Sequence, residues 1–315
     1  TVANPGAIQS LRFTGRCNDG FVAYLNGNQI AALNAPAAPA WNSAATGTAL
    51  ATRGQTVDFP AGGLLPGNNI LAVHAMNNAP GDPNFLSLST LDTVSADPAG
   101  AYLLSATPGT ANAAVRTSIG PFVSNVLYNG SLELPPQPAG GAGSPDIQIS
   151  ALVTPSLRPL AAANPVQLAW RIMYNAETLL PMTAGPGGTW TGNIPTAGLA
   201  AGQMIRWRII ATDNTGIQGT APAFLSPVNS DQYYGTVALD NVTTQLPVYR
   251  VFVPGNYTFN NAHVIDQNNV GGRAAFFYDG ELYDNVFIRI KGDTTRTLAK
   301  RAHRVDFNSE HQFRW

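Results

Sequence analysis

Short apolar runs with polar residues at every second position recur along this chain, and turn-forming residues interrupt them about every ten residues. LRFTGR from Leu11, FVAYLNG from Phe21, TVDFP from Thr56 and NILAVHAM from Asn69 alternate with Asn-Asp-Gly, Asn-Gly-Asn and Pro-Gly-Asn-Asn. Those turn residues tolerate a positive φ or preset a reversal. Further along, DIQISALVTP, VQLAWRIMYN, TWTGNIP, MIRWRIIATDNTG and YYGTVAL repeat the rhythm. The pattern predicts an all-β protein of antiparallel sandwiches. It forces no helix, and it contains no heptads or basic tract.

Two segments give sharper predictions. In MIRWRI, the side chains of Ile205, Trp207 and Ile209 fall on one face. Met204, Arg206 and Arg208 fall on the other, so one face is aromatic and aliphatic, with Trp207 filling the core, and the other is mostly charged. In AFFYDGELYDNVFIRIKG, Asp279-Gly280 sits between two apolar strands, which predicts a tight hairpin.

The divisions follow. Residues 1–118 form a first sandwich and 145–240 a smaller second one. Between them, 119–144 contains FVSNVLYNG, a candidate entering strand, and the Pro/Gly-rich ELPPQPAGGAGSP. That stretch lacks apolar periodicity and should be extended and mobile. Residues 241–315 form a third, β-rich unit.

Composition narrows the function. Charged residues are only 11% of the chain, against about 25% in an average soluble protein, and the net charge is −1. No global field draws it to nucleic acid or to an acidic membrane, and no apolar run reaches spanning length. The chain has one cysteine, Cys17, read as a small core residue in a strand. Its histidines are scattered, with no spacing that supports a transition-metal site.

Three strings resemble known families. CNDGFVAYLNGNQIAALNAP with LLPGNNILAVHAMN resembles jelly-roll modules of the galactose-binding-like type. WRIIATDNTG resembles the penultimate strand of fibronectin-III-like modules. The stretch from Leu246 resembles the N-terminal part of CotH-family secreted bacterial protein kinases. The fold so implied is all-β: a jelly-roll-like sandwich, an Ig/fibronectin-III-like sandwich, then the incomplete N-terminal lobe of a CotH-like domain. In that family "RxRGNSSR" follows the hairpin and "KKSYRLKF" comes next. Here Arg289–Arg296 and Lys300–Phe307 occupy those places, with Asp293 for Asn and Ala302-His303 for Ser-Tyr. The resemblance implies nucleotide-phosphate contacts from Lys291, Gly292, Thr294, Thr295, Arg296 and Lys300. Lys291 and Lys300 are the chain's two lysines. ATP and magnesium are expected only with a complete kinase-like domain, whose metal-binding carboxylates lie further along in that family.

The leading expectation is therefore a non-catalytic, multi-domain portion of a secreted or cell-surface bacterial protein whose parent is a CotH-type kinase. One alternative is a structural or adhesive subunit that self-associates or binds other surface proteins through open sheet edges. Another is a carbohydrate-binding module, in which Trp41 stacks on a sugar ring and Asn26 bonds its hydroxyls.

Overall fold

The computed structural model describes residues 1–49, 55–94, 119–131, 134–223, 229–240, 242–255, 271–292 and 302–313. These residues form antiparallel sheets with only short 3-10 turns between them, so the protein is all-β as the alternation predicted. The chain divides into two compact units, Thr1–Pro98 and Ala99–Trp315.

The first unit contains β1 (Ser10–Asn18), β2 (Gly20–Leu25), β3 (Asn28–Leu33), β4 (Gln55–Pro60), β5 (Leu71–Met76) and β6 (Leu86–Val94). They form two three-stranded sheets, β4-β1-β6 and β3-β2-β5. Leu11, Phe13, Phe21 and Leu25 are buried, and the rings of Phe13 and Phe21 lie 5.5 Å apart. Gly15 is needed there, because a Cβ would meet both phenyl rings. Cys17 is buried in β1, and burial, helped by Asp19, pushes its thiol up to about 11. It is a packing residue, as expected.

The second unit begins with β7 (Phe122–Tyr128), β8 (Ile147–Thr154), β9 (Val166–Ile172), β10 (Thr178–Pro181), β11 (Thr183–Ala184), β12 (Thr189–Ile194), β13 (Met204–Thr212), β14 (Gln218–Ala221) and β15 (Tyr234–Val237). One sheet runs β11-β12-β8-β7 and the other β10-β9-β13-β14, with β15 also paired to β13. This is the A-B-E-D and C′-C-F-G strand order of an immunoglobulin-type sandwich. Ile149, Leu168, Ile194, Ile205, Trp207 and Ile209 fill the space between the sheets. Burying a side chain as large as Trp207 contributes about 2–3 kcal/mol or more. The β13–β14 turn is fixed by Asp213, whose Oδ1 accepts from the amides of Thr215 and Ile217 and from the Thr215 hydroxyl.

In the stretch between the two predicted sandwiches, FVSNVLYNG, the candidate entering strand, forms β7, an edge strand of the second sandwich paired with β8. Ahead of β7, the backbone passes so close to β14 that a Cβ on Gly120 or Gly219 would collide with main chain. The described part of the Pro/Gly-rich tract is tied down, and it turns at Gly140, Gly141 and Gly143, which have positive φ. Gln137 donates to the Val237 carbonyl, Leu239 N–H to the Pro138 carbonyl, and Gly141 N–H to the Leu199 carbonyl. Hydrogen bonds rather than apolar periodicity hold it, so the sequence pattern was silent.

A third sheet follows: β16 (Arg250–Phe252), β17 (Gly272–Tyr278), β18 (Glu281–Lys291) and β19 (Ala302–Asp306), in that order. The β17–β18 hairpin forms as predicted, with Asp279 at φ 48 and Gly280 at φ 80. Both central residues need a positive φ, which Asp-Gly supplies. One face of this sheet lies on the second sandwich. Ala275, Phe277, Leu282 and Phe252 pack with Met204 and Val237. The other face carries Phe276, Tyr283, Val286 and Ile288, with Val251, Phe307 and Phe313 against them. The mostly charged face of β13 is therefore only partly a solvent face, with the Arg208 side chain 33% exposed. Met204 and Arg206 are buried beneath the third sheet.

Candidate functional site

The densest polar chemistry lies at the seam between β13 and the third sheet. A β-bulge creates it. Ala274 pairs with Val286 and Phe276 with Tyr283, so Asp284 and Asn285 together face a single residue of β17. Asn285 absorbs the distortion with φ 54. Bulges re-aim side chains, and this one accompanies an Asp284 that reaches the sandwich. Its Oδ1 accepts from Arg206 Nη1 at 2.8 Å, and its Oδ2 accepts from the amides of Gln232 and Tyr233, each at 3.1 Å. Burial pushes the Asp284 carboxyl above its usual range against the pull of Arg206.

Arg206 also donates through Nη2 to the Met173 carbonyl. Its guanidinium lies 4.4 Å from the Tyr174 ring centre and 4.9 Å from that of Tyr233. Tyr233 is shared. Arg171, directly opposite Arg206 on β9, stands 4.4 Å from its centre, and Arg208 stands 5.5 Å away. Arg208 forms a two-pronged ion pair with Glu177 at 2.9 and 2.8 Å, and Glu177 also accepts from the Tyr233 hydroxyl. Burial alone would raise Glu177; the bonds from Arg208 and Tyr233 outweigh it and hold the carboxyl below its ordinary value.

Below this ladder, His311 bridges two carboxylates, with Nδ1 2.6 Å from Asp231 Oδ2 and Nε2 3.0 Å from Glu281 Oε1. Its ring stacks on Tyr283 with centres 4.4 Å apart, and the Tyr283 hydroxyl donates to Glu281. Burial acts to lower the imidazole, but the bonds to Asp231 and Glu281 prevail and push it up to about 9. It is an imidazolium at neutral pH. Asn308 closes the network by donating to Asp231 and to the Asp284 carbonyl, and Asn285 donates to the Ser230 carbonyl. Among the described residues, no group of three or more His, Cys, Asp or Glu could hold a metal ion. Chemically, the seam clamps two sheets together, with each of its carboxylates held by a cationic side chain.

The residues singled out from sequence lie elsewhere. Lys291 ends β18 opposite Ala302 and is exposed. Gly292 follows at φ 105. Thr294, Thr295, Arg296 and Lys300 lie outside the described residues.

In the first unit, Asn26 is a turn residue at φ 51. Its amide donates to the Gly63 carbonyl and to Asn69 Oδ1, and its oxygen accepts from Ile70 N–H. Those bonds engage the groups a sugar hydroxyl would need. Trp41 is 91% exposed on a loop. The far side of that loop is anchored by Asp19, whose oxygens accept from the amides of Ala49 and Asn78.

Sequence reasoning passed over His311, Asp231, Glu281 and Asp284. The available signal was Tyr-Asp-Asn inside an otherwise apolar strand, where alternation fails and a bulge follows.

No family model matches the chain, and no curated protein matches it significantly. Among solved structures, the apo form of the Pleurotus ostreatus lectin is similar, at 14% identity and a TM-score of 0.19, over 68% of this chain and 70% of that one. That likeness is distant and carries no function across. No described helix is long and apolar enough to cross a membrane.

Proposed function

We propose that this chain is a non-catalytic, multi-domain portion of a secreted or cell-surface bacterial protein whose parent resembles a CotH-type kinase. Its role is to hold a kinase-like N-terminal lobe rigidly on a β-scaffold. The observation that carries this reading is the Arg206–Asp284 pair, buried between the sandwich and the third sheet. Neighbouring domains move relative to one another unless their interface is extensive and apolar. Here Met204, Val237, Phe252, Phe277 and Leu282 supply the apolar contact, and the ion pair fixes its register. Lys291 and Gly292 then emerge at the end of a strand anchored on that base, where the CotH resemblance places phosphate contacts.

The test pairs two measurements on this chain. Hydrogen exchange should show β13 and β18 opening together, in one cooperative event, and incubation with magnesium and γ-labelled ATP should give no phosphoryl transfer. Transfer by this chain would make it an enzyme. Opening of β18 well before β13 would remove the rigid scaffold.

A second reading has one observation in its favour, the exposure of Trp41. An indole presented from an anchored loop suits stacking on a sugar ring. A glycan array probed with the chain and with Trp41→Ala tests it; binding unaffected by the substitution would dismiss Trp41 as the platform.

A further inference from the structure

Three guanidinium groups share the outer face of the β9–β13 pair, and two of them have carboxylates. Arg206 has Asp284 and Arg208 has Glu177. The Arg171 side chain makes no ion pair and no hydrogen bond among the described residues, and its Nε is buried without an acceptor. It sits directly across the strand pair from Arg206, a like-charge arrangement that destabilises a sheet. Burial, and then Arg206, lower its proton affinity, with Tyr233, Glu177 and Asp284 offsetting part of the effect. The Tyr233 ring face gives it a cation–π contact at 4.4 Å. Such a contact is worth about 0.5–2 kcal/mol and satisfies no N–H donor.

Arg171 is partly exposed, and the Arg208 side chain beside it is 33% exposed. The ladder is thus one anion short on the side that meets solvent. Guanidinium forks bind planar or tetrahedral oxyanions through paired N–H donors.

We propose that Arg171, with Arg208 beside it, is a binding site for an oxyanion, either a carboxylate or a phosphate group of a ligand. The Tyr233 ring positions Arg171 for the contact. Arg206 is excluded from the site because it is buried and committed to Asp284.

The experiment titrates the intact chain with sodium phosphate and, separately, with sodium acetate, holding ionic strength constant with sodium chloride. The guanidinium Nε–H resonances of Arg171, Arg208 and Arg12 are followed by NMR. Arg12 serves as the reference because its fork is held by Asp58 as that of Arg208 is by Glu177, while its cross-strand neighbours are Asp58 and Asp92 rather than an arginine. Saturable shifts are expected at Arg171 and Arg208, with none at Arg12. Saturation by phosphate alone identifies a phosphoryl ligand, and saturation by acetate identifies a carboxylate.

Arg171→Lys, which keeps the charge and loses the fork, should weaken binding about tenfold or more, judged from the Arg208 resonance. Arg171→Met should abolish saturation while leaving thermal stability equal or higher at low salt, because a like-charge contact is removed. Non-saturating shifts equal at all three arginines would overturn the proposal. So would a large loss of stability in Arg171→Met with Arg208 still saturating, which would make Arg171 a structural cation.

Discussion

The Arg206 guanidinium and the Asp284 carboxylate meet at 2.8 Å across 78 residues of sequence, with side chains only 4% and 1% exposed. Breaking such a pair leaves an uncompensated charge in the seam, at a cost of about 3–5 kcal/mol. Asp284→Ala should cost more than Arg206→Met, since it also orphans the amides of Gln232 and Tyr233. Urea unfolding of both singles and the double variant should return a coupling energy of about 2 kcal/mol or more. Singles that each cost less than about 1 kcal/mol would place the pair with surface bridges.

His311 makes stability depend on pH with a definite sign. Its folded pKa of about 9 lies above the ordinary 6.5, so the folded state holds a proton that the unfolded chain releases first. The stabilisation is fully present below pH 6.5, declines as pH rises between the two values, and is gone above about 9. A rise of that size corresponds to about 3 kcal/mol. Denaturation midpoints measured from pH 6 to pH 10 should fall across that window, and His311→Gln should flatten the fall. An unchanged profile in the variant would assign the slope to other groups.

Gly235 marks where β15 meets the third sheet. A Cβ there would strike Leu282 and lie 2.7 Å from the Ile205 carbonyl oxygen. Gly235→Ala should therefore force the sheets apart and cost about 1–3 kcal/mol. Gly62→Ala, where a Cβ meets open space, is the control and should leave the melting temperature near wild type.

Trp41 should behave oppositely to these seam residues. Because it is exposed, Trp41→Ala should change stability by no more than about 0.5 kcal/mol. A larger loss, measured by the same denaturation, would show that the indole packs on its own loop.

What the sequence disclosed and what it withheld divide along a physical line. Alternation in MIRWRI identified Trp207 and Ile205 as core because period-two burial is a local property. The Asp279-Gly280 hairpin was equally legible, since its turn needs two positive φ values that few dipeptides supply. The burial of Arg206 was not legible, because nothing near it in sequence answers its charge. Its partner, Asp284, sits in a bulge whose register is invisible without β17. The Gln137 and Gly141 hydrogen bonds were hidden for the same reason: bonds to a carbonyl far away in sequence leave no periodic trace. His311 looked isolated in sequence because its two carboxylates lie 80 and 30 residues earlier.

The burial of the β13 outer face also has a meaning in time. A chain made from its N-terminus completes the sandwich before β18 exists. At synthesis rates of about 5–20 residues per second, Asp284 emerges about 2–9 s after Val237 completes β15. During that interval the sandwich carries an apolar strip and an unanswered positive charge, open to whatever reaches it first. For this protein, the nascent chain is the state most exposed to misassociation, and the seam that later gives rigidity is the surface a chaperone would need to shield.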